Sequence, residues 1–68
     1  MALGETEGET ELEMVERHIR QGERHVLRQR EIIAEMDCRG QWTGVAEDLL
    51  LNFEFCLRGH KAHLEQII

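Results

Sequence analysis

Two apolar ladders of similar length, separated by a break bounded with glycine, constrain this chain more than anything else in it. The first runs Leu12, Val15, Ile19, Gly22, Val26, Gln29, Ile33, Met36. The second runs Ala46, Leu50, Phe53, Leu57, His60, Leu64, Ile67. Both advance in alternating steps of three and four residues, the spacing that draws one stripe along an α-helix. Between them lies Gly40-Gln41-Trp42-Thr43-Gly44. The reading is an all-α chain, an antiparallel two-helix hairpin over about 11–39 and 44–67. Proline is absent and aromatics are scarce. No segment alternates with period two, so a sandwich or barrel is excluded.

Local signals place the ends of these helices. Thr10-Glu11-Leu12-Glu13 fits a capping box, in which the Thr hydroxyl accepts from the backbone three residues on and Glu13 reaches back. Glu11 and Glu13 also suit the positive end of a helix dipole. Gly40 is free to take the left-handed conformation that stops a helix. Thr43 is expected to cap the second helix, with Glu47 and Asp48 near its first turn. Folding the chain near residue 41 pairs Met36 with Ala46, Ile33 with Leu50, Gln29 with Phe53 and Val26 with Leu57. It also pairs Gly22 with His60, Ile19 with Leu64 and Val15 with Ile67. In this register Gly22 leaves room for the His60 imidazole, and Gly59 permits a close approach.

The chain has 68 residues, which makes one domain at most. Residues 1–9 read as a disordered acidic tail and residues 10–68 as the hairpin. A lone hairpin has a single seam to bury, and scaffolds this small usually need a disulfide, a metal or a second copy. The flanks of the seam point to the copy. On one side Arg30 is expected near Glu54 and Glu23 near Lys61, ordinary salt bridges on a wet edge. On the other side Ile32 is expected near Leu49, His25 near Cys56 and His18 near His63. That side has no fixed charge. An uncharged strip of this length calls for cover, so His18, His25, Ile32, Leu49, Cys56 and His63 are expected to form the interface of a homodimer. Two hairpins joined there make an antiparallel four-helix bundle with twofold symmetry. Leu27, Leu51 and Trp42 fall outside the stripes. They either widen the interface or, for Trp42, cover the open end of the bundle.

The net charge of −6 sits at one end. Residues 1–16 carry Glu5, Glu7, Glu9, Glu11, Glu13 and Glu16 with no basic residue, whereas charges of the two signs balance over residues 17–68. A segment of this kind is a solvated tail, or a tail that docks on a basic surface, either a partner's or its own arginine row. That row is Arg17, Arg20, Arg24 and Arg28, expected to be supported by Glu13–Arg17 and Glu16–Arg20 pairs at i, i+4. It is the candidate surface for an unidentified protein partner. Nucleic acid is not expected, because the chain is acidic and no aromatics interleave with the arginines. Uninterrupted apolar runs such as Leu49-Leu50-Leu51 are far too short to span a membrane. The N-terminus lacks the pattern of a signal peptide, so a cytoplasmic location is expected. Cys38 and Cys56 lie about 18 Å apart along such a hairpin, beyond the roughly 7 Å that a disulfide spans, and are expected as free thiols.

Four histidines and Cys56 supply what chemistry the sequence offers. His18, His25, His60 and His63 all point toward the core or the uncharged flank in this register. His18, His60, His63 and Cys56 form a set from which a Zn²⁺ site could be drawn. However, no Cys-x-x-Cys is present, nor the Glu-x-x-His of di-iron bundles. The plainer reading is partly buried imidazoles in polar corners, with no cofactor and no metal. Buried neutral imidazoles would also weaken an assembly on protonation below about pH 6. An enzyme is not expected. The chain contains no serine, and a two-helix hairpin lacks a pocket with an oxyanion hole.

The stretch His18-Ile19-Arg20-Gln21-Gly22-Glu23-Arg24-His25-Val26-Leu27-Arg28-Gln29-Arg30-Glu31-Ile32-Ile33 is followed by a glycine-containing turn and a helix with a histidine-rich end. Outside its acidic tail the chain thus resembles small bacterial helical-hairpin proteins of unknown function. The resemblance implies a bacterial origin and the hairpin fold, and no particular activity. The expected role is a noncatalytic protein–protein interaction module acting as a homodimeric bundle. The alternative is a small metal- or pH-responsive regulator that uses the His/Cys cluster.

Overall fold

The computed structural model describes residues 8–68. Two helices, α1 (Glu11–Cys38) and α2 (Gly44–Ile67), pack against each other, and the described residues contain no strand. The ends of α1 follow the sequence closely. The Thr10 hydroxyl accepts the Glu13 amide at 3.1 Å, and the Thr10 amide donates to the Glu13 carboxylate at 3.0 Å. This reciprocal pair satisfies two of the amides that the start of a helix leaves without partners. At the other end Gly40 has φ +71°. Its amide donates to the Asp37 carbonyl at 3.0 Å, and the Gln41 amide donates to the Met36 carbonyl at 2.9 Å. These two bonds make a Schellman stop, which needs a left-handed residue where Gly40 stands.

The start of α2 is built differently from the expectation. Thr43 occupies the cap position, but its hydroxyl caps no backbone amide. It donates instead to the Glu47 carboxylate. The Thr43 backbone, at φ −107° and ψ 3°, lacks the extended conformation that aims a cap side chain at the first helix amides. In the single hairpin Trp42 is 78% exposed, and its indole lies over Gly44, where any side chain would run into the ring.

The two ladders meet as the seam. Every ladder position is buried or half-buried except Leu12, which lies at the rim. Yet among the described residues only Val15, Val26 and Gln29 are buried. The neighbours on the histidine side of the seam differ from the expected ones, while the Arg30–Glu54 and Glu23–Lys61 pairs of the other side are kept. A side chain built at Gly22 would meet Leu57 (Cδ1 at 3.1 Å and Cβ at 3.6 Å), so Leu57 fills the space assigned to His60. His60 lies instead against His18, and Phe53 against His25. Because each ladder repeats, a small offset between the helices still sets apolar residues on apolar residues. The pattern therefore cannot choose between these neighbours. The Gly22–Leu57 contact is close enough to set the observed level. Gly59 has no neighbour within 4 Å of a built side chain, so the close approach expected there is absent among the described residues.

Gln29 is the one buried polar ladder residue among the described residues. Its Nε2 donates to the Ala46 carbonyl at 2.9 Å, tying the middle of α1 to the first turn of α2. No buried side-chain polar atom among the described residues is left without a partner. The hairpin is thus polar-satisfied and thinly packed, with two valines as its buried apolar centre.

The open flank and its histidines

The two long edges of the seam are chemically distinct. Along one edge Arg30 donates to Glu54 at 2.9 Å, and Lys61 lies 3.8 Å from Glu23. Both pairs are those expected from the spacing. They sit beside a shallow groove that includes Leu27 and the edges of Val26 and Leu57. Long charged side chains laid over such apolar edges keep their heads in water and their stems on the seam.

The opposite edge holds the residues assigned to an interface. His18, Ile32 and His63 are half-buried there, while His25, Leu49 and Cys56 are exposed. A groove of about 260 Å³ opens on this edge, with Gly22 and Leu57 at its floor and His18, His25, Phe53, Cys56 and His60 around it. The expected pairings within it are rearranged. The rings of His18 and His60 lie across the seam with centroids 5.0 Å apart and planes inclined at 48°. His25 packs on Phe53 at 5.5 Å, and Cys56, its expected neighbour, lines the same groove. His63 meets Glu11, with Nε2 and Oε2 3.0 Å apart. Among the described residues no group of three or more His, Cys, Asp or Glu side chains is close enough to hold a metal ion. The set His18, His60, His63 and Cys56 is therefore divided. His18 and His60 meet, Cys56 lines the same groove, and His63 is committed to Glu11.

Glu11 shows that the uncharged edge carries a carboxylate at its outer end. Its position was legible, because residues 11, 18, 25 and 32 are each seven apart and so fall on one line of α1. On α2 the matching line is 49, 56 and 63. Reading Glu11 only as a cap residue concealed that placement. Cys38 and Cys56 are both free thiols and both exposed.

The arginine row is also divided. Arg17 is held by Glu9, with Nε and Nη2 each donating to one carboxylate oxygen at 3.1 Å. The expected Glu13–Arg17 pair is absent because Glu13 completes the cap of α1. Glu16 and Arg20 form no ion pair either, and Arg28 pairs instead with Glu31, 3.5 Å away at i, i+3. Among the described residues Arg20 and Arg24 make no ion pair and are exposed. The fork of two parallel bonds to Glu9 pushes the Arg17 guanidinium further toward its charged form. The same hydrogen bonds hold the Glu9 carboxyl below its ordinary value, against a smaller opposing effect of partial desolvation. Glu9 thereby folds back onto a member of the arginine row, one of the two fates expected for the acidic segment. The remaining expectation for the tail, at residues 1–7, lies outside the described residues.

No helix among the described residues is long and apolar enough to cross a membrane. No family model matches the chain, and no curated protein or solved structure matches it.

Proposed function

We propose that this chain is a noncatalytic protein–protein interaction module that works as a homodimeric four-helix bundle in a reducing, cytoplasmic setting. One observation carries the reading. Among the described residues the hairpin buries only two apolar side chains, while one whole edge of its seam stays open and free of ion pairs except at the His63–Glu11 end. Four-helix bundles complete such half-wet stripes by facing two pairs of helices across a common core. A twofold axis running along the bundle sets every layer of one hairpin opposite the same layer of its copy. Each helix then has antiparallel neighbours on both sides. In this arrangement Ile32 and Leu49 lose their remaining exposure, and the charged edge remains in water.

Arg20, Arg24 and Arg28 lie on the outer face of α1, away from both edges, so dimerisation leaves them available to an acidic partner protein. Arg17 contributes less, since Glu9 already occupies it. Sedimentation equilibrium tests the assembly: the expected mass is twice the 8.0 kDa of one chain. A well-folded species of single-chain mass at high concentration would overturn the reading. Affinity capture with the wild type and an Arg20/Arg24/Arg28 charge-reversal variant then tests the outer face. The same captured proteins with both baits would remove the arginines from the proposal.

A further inference from the structure

We infer that His18 and His60 form half of a tetrahedral Zn²⁺ site, which a second copy completes with the same two residues. The inference rests on the dimer proposed above and adds a ligand to it. Three features of the structure support it. The two imidazoles come from different helices, and their ring centroids are 5.0 Å apart. Imidazoles bound at about 2.0–2.1 Å around a tetrahedral ion hold their ring centroids about 5 Å apart, so the pair already has the spacing of two ligands. Both residues line the open groove on the uncharged edge, so the pair is reachable from outside the hairpin.

The third feature is incompleteness. No third His, Cys, Asp or Glu among the described residues joins the pair to form a single-chain site. His63, one turn along α2, is engaged with Glu11, and His25 lies on Phe53. A structural zinc site needs four ligands. With the twofold axis along the bundle, the His18–His60 layer of one hairpin faces the same layer of the other. Four imidazoles from two chains then surround one point on the axis. Binding needs all four rings neutral, so it weakens as pH falls. An ion held by both copies and by neither alone favours the dimer by mass action.

The test uses the full chain, titrated with Zn²⁺ and, for spectroscopy, Co²⁺. The expected result is one ion per two chains, with Co²⁺ giving the visible bands of a tetrahedral centre. At free Zn²⁺ about a hundred times its dissociation constant, linkage predicts roughly hundredfold tighter dimerisation. His18→Gln and His60→Gln should each abolish metal binding while keeping their helix content and the metal-free dimer, and His63→Gln should bind as the wild type does. A dimer that takes up no Zn²⁺ overturns this inference alone. So does uptake of one ion per chain, or binding that survives both variants and is lost in Cys56→Ala. A chain that stays monomeric with and without metal overturns the dimer and the shared site together.

Discussion

The two edges of this hairpin bound the same seam, yet they face water in opposite ways. The edge with Glu23, Arg30, Glu54 and Lys61 carries two ion pairs across the helices. The edge with His18, His25, Ile32, Leu49 and Cys56 carries none until it reaches Glu11 and His63. A charged edge has its solvent-facing groups satisfied where they stand and loses them on burial. A weakly polar edge gives up little when covered and returns apolar area to the core. The contrast makes one side a boundary and the other a joint, although the two lines of residues flank the same stripe on each helix.

The sharpest way to break this contrast is to charge the joint. Leu49→Glu places a carboxylate twice in the proposed interface with no cation to meet it. Burial of an unpaired charge costs several kcal/mol, so the dimer should weaken by at least about a hundredfold in sedimentation while the monomer keeps its helix content. An unchanged dimer would show that the joint lies elsewhere. The reciprocal change on the boundary has a far smaller effect. Arg30→Ala removes an exposed pair worth about 0–1 kcal/mol. Thermal melts should show a small loss at low salt that shrinks as salt screens the pair, with the dimer unaffected. A large loss of dimer affinity in Arg30→Ala would reverse the assignment of the two edges.

The smallest expected effect lies at the start of α1. The hydrogen bonds from Arg17 lower the Glu9 pKa, so the contact supports the fold above the ordinary carboxylate range. That support is lost as pH falls through the lowered value. Wild type and Glu9→Gln should therefore differ slightly in melting temperature near neutral pH and converge in strong acid. A difference that grows on acidification would contradict the sign.

Much of this architecture was legible in the residues, for a reason that can be stated locally. The Thr10–Glu13 box, the Gly40 stop and the stripe of each ladder depend on neighbours within a turn or two. The edge pairs Arg30–Glu54 and Glu23–Lys61 were also legible, because long side chains tolerate a slip of a few ångströms. The histidine pairing was not. Imidazoles are short, so a small offset between the helices exchanges His63 for His60 as the neighbour of His18. Arg17 likewise met Glu9 rather than Glu13, because Glu13 closes the cap of α1. Both carboxylates lie within its reach, and only the folded geometry ranks them.

The sequence by itself determined two helices, their caps, the stripe each one buries and the chemical difference between the two edges. These are consequences of helical periodicity and of backbone groups that must find nearby partners. Tertiary structure alone decided the level at which the stripes meet: Leu57 against Gly22, Gln29 reaching Ala46, His60 against His18. A repeating pattern leaves such neighbours open, so the choice falls to side-chain volume and to the one buried amide that must be satisfied.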